Sequence, residues 1–411
     1  RGDTLFSTNG RNTAFIMQLD SLGAVQAFIS MNSEGAVLGR AAVWQDQSTQ
    51  LLSLFQIRDT FQWINNFWAP QATTASLVLE WSPDLHLQTA TLLDGSGEIE
   101  ATHLRAIDDE WYAAGRFKGQ INRLTDTLVT PTADFDGFIY AAQTGGQERF
   151  IRHLRGQFED DIFSLEVSQQ AIYFGGQFIG NLRLQDLEIL TGLQVAAFVG
   201  AMNRSGQALW MHPIRGTSIS TAVPALYPAT DRLRVGIWTG ETTIFQGDSL
   251  HQPTAVGQVH SICLHLDEQG YFQRWQLWPG DPIVYITDFL ASKDGVRVAA
   301  EVMGQFANVR SRGVFDAFLI DPSSTSSFSY RRPSAPSLRL FPQPAQDQLC
   351  IQERDESFTS YELYSLTGRP VQAGTLRSNC LSVSHLPAGT YVLRLICSDQ
   401  TPPIQIIWIK S

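Results

Sequence analysis

Apolar and polar positions alternate with a period of two through most of the first 320 residues, in short runs that break near a glycine. The versions are Ala14-Phe15-Ile16-Met17-Gln18-Leu19-Asp20-Ser21-Leu22-Gly23, Gly137-Phe138-Ile139-Tyr140 running to Gly146, Ala197-Phe198-Val199 running to Gly206, and Ser261-Ile262-Cys263 running to Gly270. Divergent copies are Ser76-Leu77-Val78-Leu79-Glu80-Trp81 and Ala317-Phe318-Leu319-Ile320. The leading apolar residues stand at 15, 77, 138, 198, 262 and 318, so successive copies are 62, 61, 60, 64 and 56 apart. Alternation that runs into a polar, glycine-bearing turn predicts a β-hairpin at each copy.

A second element lies between the hairpins. Its clearest copies are Trp111-Tyr112-Ala113-Ala114-Gly115-Arg116-Phe117 and Ile172-Tyr173-Phe174-Gly175-Gly176-Gln177-Phe178. Looser copies are Leu233–Gly240, Val298–Phe306 and Arg40–Trp44. Small residues at these positions suit strands that approach one another closely. A period near sixty residues with about four strands and no helical periodicity predicts a β-propeller of five or six blades, spanning 1–321.

Residues 322–337 are dominated by Ser, Pro and Thr and read as a linker. After it, Leu338, Leu340, Leu349 and Ile351 alternate around Pro342 and Pro344. Tyr361, Leu363 and Tyr364 lead to a turn at Thr367-Gly368, and Leu386-Pro387-Ala388-Gly389 turns the chain into Tyr391–Leu395. This spacing predicts a small Ig-like antiparallel β-sandwich over 338–411. The predicted fold class is therefore all-β throughout.

Two resemblances attach to these patterns. The repeats, best at residues 172–210, resemble the bacterial SBBP propeller repeats, which implies a fold and no particular activity. The C-terminal segment resembles the type A C-terminal sorting domain of the Bacteroidetes type IX secretion system. The residues that carry this are Leu338, Leu340, Pro342, Pro344, Ala345, Asp347, Leu349, Tyr364, Gly368, Arg369, Leu386, Gly389, Tyr391 and Lys410. Phe341 and Gln343 replace the usual Tyr and Asn, and Pro370 follows Gly368-Arg369. The resemblance implies a cargo exported to the cell exterior or the outer face of the outer membrane. Its implied partners are the translocon, acting with outer-membrane shuttle or sortase proteins, and surface lipopolysaccharide as an attachment point. Cleavage is expected in the 322–337 linker.

Composition narrows the function class. The net charge is −11, which argues against nucleic acid as a partner. No apolar run approaches the ~18 residues of a membrane helix. The opening Arg1-Gly2-Asp3-Thr4 does not read as a signal peptide, and the Arg-Gly-Asp triplet reads as a chance occurrence. Of four cysteines, Cys350, Cys380 and Cys397 lie near the C-terminus, with Cys263 apart from them. A hairpin at 387–389 would bring Cys380 and Cys397 together. A disulfide there and buried free thiols are both open readings.

Candidate chemistry is sparse. The acidic runs Asp108-Asp109-Glu110 and Glu159-Asp160-Asp161 suit either a carboxylate or cation site near a propeller axis or, more commonly, solvated turns. Convergence of Asp109, Asp160 and His103 on one pocket would point to a glycan-active enzyme. His103 and His153 stand at similar places in the repeat, but no histidine or cysteine set has metal-ligand spacing. Neither a metal site nor a cofactor is expected. Asp134-Phe135-Asp136-Gly137 lacks the later positions of a calcium loop. The aromatic stretch 61–70, with Trp63, Phe67 and Trp68, is a candidate contact loop. The expectation is a non-catalytic recognition or assembly propeller, with a propeller enzyme and a component of the secretion machinery as alternatives.

Overall fold

A computed structural model describes residues 14–20, 22–31, 36–45, 50–58, 60–63, 66–123, 127–130, 134–216, 222–229, 232–239, 242–250, 260–278, 281–292, 295–306, 309–310, 316–320, 328–331, 339–341, 347–352, 358–365, 370–376, 378, 380–397 and 404–410. All regular structure among them is β, and almost every pairing is antiparallel. The chain divides into two compact units, Arg1–Tyr330 and Arg331–Ser411.

The first unit opens with the hairpin β1 (Ala14–Leu19) and β2 (Val25–Met31). A meander follows, in which β3 (Val37–Gln45), β4 (Gln50–Ile57), β7 (Ala75–Trp81) and β8 (Leu87–Leu93) pair in that order. Between β4 and β7 stands the small hairpin β5 (Phe61–Trp63) and β6 (Asn66–Trp68). The next meander is β9 (Gly95–Ile107), β10 (Glu110–Asn122), β12 (Asp136–Gln143) and β13 (Glu148–Gly156), with β11 (Thr127–Val129) on the end of β10. The third is β14 (Asp161–Val167), β15 (Ile172–Leu184), β16 (Leu187–Met202) and β17 (Ala208–Gly216). The fourth is β18 (Ala222–Ala229), β19 (Arg232–Thr239), β22 (His260–Leu266) and β23 (Phe272–Trp278). Before β22, the hairpin β20 (Thr243–Phe245) and β21 (Asp248–Leu250) extends β17. The fifth sheet holds β24 (Asp281–Ser292), β25 (Gly295–Phe306), β26 (Val309–Arg310) and β27 (Asp316–Ile320). No sheet closes on itself among the described residues.

The hairpins expected from the glycine-terminated runs fall on the third and fourth strands of the meanders. Their turns share one device. In Asn203–Gly206 the Asn203 side chain accepts the Ser205 and Gln207 amides, and Gly206 donates to the Asn203 carbonyl at 2.9 Å. Asp267–Gly270 and Asp20–Gly23 repeat this arrangement. The glycine sits at φ of +80° to +83° in these turns, a conformation that disfavours any residue with a Cβ.

The second element is the second strand of each meander, with one correction. Arg40–Trp44 lies in β3, a first strand. The second strand of that meander is β4, whose Leu51–Ile57 contains no glycine to betray it. Gly115 and Gly176 show why small residues recur here. A Cβ on Gly176 would stand 1.8 Å from the Asp161 carbonyl oxygen, and one on Gly115 would stand 2.0 Å from that of Glu100. Backbone cannot yield as a side chain does. Gly176→Val is therefore expected to cost about 3 kcal/mol or more, read as a fall in the denaturant midpoint at constant slope.

The inner strands are covered on both faces. The third strands β7 and β22 are buried along their whole length, which is how strands covered on both sides read. Side chains from adjacent meanders share cores. Phe138 packs in a cluster with Leu77 and Trp81 of the preceding sheet, while its neighbour Ile139 joins Phe174 and Phe198 of the following one. The first strands also touch in series: β3 with β9, β9 with β14, β14 with β18, and β18 with β24.

β28 (Phe328–Arg331) falls within the Ser/Pro-rich segment and spans the boundary between the units. In the second unit, β29 (Arg339–Phe341), β30 (Gln348–Gln352) and β33 (Cys380–Ser382) form one sheet. β32 (Pro370–Thr375), β31 (Phe358–Ser365), β34 (Gly389–Cys397) and β35 (Ile404–Lys410) form another, in that order. Leu349, Ile351, Leu363, Val383, Leu393 and Leu395, drawn from both sheets and the turn after β33, share one core. The cysteine expectation is corrected. Cys380 does not run into a hairpin with Cys397, because the turn at 383–386 carries the chain to the other sheet. Instead Cys380 stands opposite Cys350 and is bonded to it. A bridge closing a loop of this length, with a sequence separation of 30, stabilises by roughly 3–4 kcal/mol on the chain-entropy view. Cys263 is free and buried, and burial pushes its thiol up to about 12.

Candidate functional site

The five first strands β3, β9, β14, β18 and β24 line one cavity of about 220 Å³. Its polar lining includes Arg40, His103, Arg105, Ser164, Glu166 and Asp288. Arg105 donates from Nε to Glu166 Oε1 at 2.6 Å. These two residues are 61 apart, one repeat, so equivalent positions on adjacent first strands meet as an ion pair. The same spacing continues to Tyr227 and Asp288 and backwards to Trp44.

Burial raises Glu166 above the ordinary carboxylate range, the Arg105 charge opposes this, and Asp288 adds to it. Burial, reinforced by the Arg105 charge, pushes His103 down to about 4, so it is neutral at physiological pH. The Nδ1 atom of His103 lies 2.9 Å from Thr102 Oγ1. Ser164 Oγ donates to the Val223 carbonyl at 2.8 Å and is thereby occupied. The cavity thus offers guanidinium donors beside carboxylate acceptors. That suits a small polar ligand that both donates and accepts.

His103 lines this cavity, but Asp109 and Asp160 do not, so the convergence that would point to an enzyme is absent from it. The acidic runs have another use. Asp108 and Glu110 flank the turn between β9 and β10, and both bind Arg204 from the β16–β17 turn, at 2.7 Å in each case. Glu110 also pairs with Arg149 of β13 and accepts from Tyr112. The Asp109 carbonyl accepts the Thr144 amide at 2.7 Å. In the second run, Glu159 and Asp161 bind Arg116 at 3.1 and 3.2 Å, and Arg116 reaches Glu100 at 3.0 Å. The Arg204 and Arg116 pairs with Asp108, Glu110, Glu159 and Asp161 tie the second meander to the third, the other contacts lie within the second, and Asp109 and Glu159 stay exposed.

Asp160 differs from its neighbours. It is 1% exposed, and neither carboxyl oxygen has a hydrogen-bond partner; the Ile179 amide beside it falls short of one. Burial first, and then the charge of Asp136, push it up to about 9. Asp136 is fully buried and lies 2.6 Å from His153 Nε2. His103 and His153 are therefore in separate places, one in the cavity and one on β13. Among the described residues, no group of three or more His, Cys, Asp or Glu is arranged to hold a metal ion.

In the aromatic stretch, Phe67 is 63% exposed, while Trp68 stacks on buried Phe61 at 5.3 Å. Trp63 pairs with Asn66 across β5 and β6 through its backbone. Trp68 is half-buried, and the side chain of Trp63 lies outside the described residues.

In the second unit, the motif residues that are described serve the fold. Leu349, Leu386 and Tyr391 are buried. Tyr391 donates its hydroxyl to the Pro387 carbonyl at 2.8 Å and so clamps the turn that brings in β34. Asp347 accepts the Val383 amide through its carbonyl at 2.9 Å. Tyr364 donates to Glu362, which also binds Arg394. Gly389 opens β34 opposite Lys410, the end of β35. Leu338, Pro342, Pro344, Ala345, Gly368 and Arg369 lie outside the described residues, as does the side chain of Leu340.

Residues 339–409 match the family described as the secretion system C-terminal sorting domain. The second unit carries an export signal. The match supports a cargo of the type IX secretion system, destined for secretion or the cell surface. No curated protein matches the chain. Among solved structures it is similar to PorZ, described as an essential bacterial surface component of the type-IX secretion system of human oral-microbiomic Porphyromonas gingivalis. Identity there is 12%, with 96% of this chain and 84% of that one covered and a TM-score of 0.17. A second is the extracellular domain of a one component system from B. thetaiotaomicron, at 11% identity, 96% and 67% coverage and a TM-score of 0.21. Scores this low carry no argument about fold or role. Among the described residues, no helix is long and apolar enough to cross a membrane, which leaves β-barrels unaddressed.

Proposed function

We propose that this chain is a secreted or surface-held type IX cargo whose first unit is a non-catalytic β-propeller used for recognition or extracellular assembly. The sorting-domain match at 339–409 carries the reading. Five successive meanders, packed face to face with their first strands touching in series, support a propeller of five or six blades with SBBP-type repeats. Two sheets around one core support an Ig-like sandwich for the second unit. Residues 338–411 engage the translocon, with shuttle or sortase proteins acting on the same segment and lipopolysaccharide receiving the cargo. The cavity where the first strands meet is the recognition site for a small polar ligand. A neutral His103 and a hydroxyl engaged elsewhere, at Ser164, favour binding over chemistry there.

A reporter with a signal peptide and residues 322–411 at its C-terminus tests the export reading. In a Bacteroidetes host it is expected on the surface or in the medium only when the type IX translocon is intact. Equal retention with and without the translocon overturns it.

A further inference from the structure

The hairpin β1–β2 has the sequence of third and fourth strands but not their surroundings. In the four complete meanders, the third strand is paired on both edges: β7 by β4 and β8, β12 by β10 and β13, β16 by β15 and β17, and β22 by β19 and β23. Among the described residues, β1 is paired by β2 alone. Its two faces also differ. Ala14, Ile16 and Met31 are buried in the core shared with the β3–β8 sheet. Phe15 is 51% exposed, whereas Leu77, Phe138, Phe198 and Ile262, which hold its place in the other repeats, are all at 0%. Phe138 and Phe198 face the preceding sheet in their own repeats, so the bare face of β1 is the one that a preceding sheet would cover.

The turn glycine gives an independent sign. A Cβ on Gly146 would meet Thr89 at 3.0 Å, one on Gly206 would meet Phe150 at 2.9 Å, and one on Gly270 would meet Trp210 at 2.6 Å. Each neighbour belongs to the fourth strand of the preceding sheet. At Gly23 nothing lies within 4 Å.

We infer that β1–β2 is the outer half of a sheet whose inner half is not among the described residues, and that the second edge of β1 and its bare face receive a further repeat of this same type, whose second strand pairs antiparallel with β1. The occupant is specified by the four existing pairings: an extended strand with apolar side chains alternating and small residues where backbones approach. Among the described residues a second copy of this chain has no such strand to spare, since β4, β10, β15, β19 and β25 are each flanked on both edges.

The probe is a synthetic peptide of residues 110–122, the β10 sequence, added to the whole chain and followed by amide hydrogen exchange. Protection of residues 14–19 by about tenfold or more is expected. A peptide with Ala114→Pro, which removes a ladder donor, is expected to protect far less. Three results would overturn the inference. One is no protection by the native peptide. Another is equal protection by the proline peptide, which would mean unspecific apolar adhesion. The third is protection without peptide that rises with protein concentration, which would give the edge to a second copy.

Discussion

Glu110→Ala is expected to lower the stability of the first unit by about 3 kcal/mol, the low end of the range for breaking a buried ion pair. The Glu110 side chain is 9% exposed and serves three donors. Arg149 binds one oxygen, while Arg204 and the fully buried Tyr112 share the other. Removing the carboxylate strands a phenol in the interior, takes the counter-charge from Arg149 and leaves Arg204 with Asp108 alone. The arginines keep 28% and 22% of their side-chain surface, so water recovers part of the loss, and the low end applies. The network joins the second meander to the turn of the third, so the loss falls on the contact between sheets. Denaturant unfolding of Glu110→Ala, Arg204→Ala and the double variant measures this directly. The double variant is expected to cost clearly less than the sum of the singles. A change within about 0.5 kcal/mol for Glu110→Ala would mark the network as surface decoration.

How far such ties could be read from the chain depends on range. The third and fourth strands were legible because alternation and the glycine-bearing turn are local: Asn203 and Gly206 act within four residues. β4 was not, because Leu51–Ile57 replaces the small-residue signal with leucines, and Arg40–Trp44 carried a misleading likeness. The acidic runs were legible as composition only. Their partners lie 94 positions away in Glu110–Arg204 and 45 in Asp161–Arg116, beyond any local pattern. The cavity hid differently. Arg105, Glu166 and Asp288, which line it, share one position of the repeat with Trp44 and Tyr227, which do not, and the five have no common chemistry, so no motif marks them. A register of one repeat would have found the Arg105–Glu166 pair. The sorting-domain family was legible because its motifs are short and local, as the Tyr391–Pro387 clamp illustrates. The bond between Cys350 and Cys380 was not, because it depends on which sheet β33 joins.

Asp160→Asn is expected to stabilise the protein, increasingly so as pH rises. In the folded state Asp160 holds its proton up to about 9, against a usual value of 3.8. Between these values the unfolded chain has lost a proton that the folded chain retains. The folded state binds more protons there, so stability falls with rising pH across that window, by at most about 1.4 kcal/mol per pH unit, and levels off above it. Asparagine occupies the same space and does not titrate. Its constant desolvation cost is the same at every pH, so the informative quantity is the difference between variant and parent. That difference is expected to grow by roughly 4 kcal/mol between pH 4 and pH 7. Two paired oxygens would have removed the effect, but both are without partners. Gly156 constrains the site further: a Cβ there would meet Asp160 Oδ2 at 1.7 Å, so no larger neighbour can relieve it. Stability measured across that pH range for both proteins decides the matter. Parallel curves would show that Asp160 ionises freely in the folded state, and that its burial does not shape the response to pH.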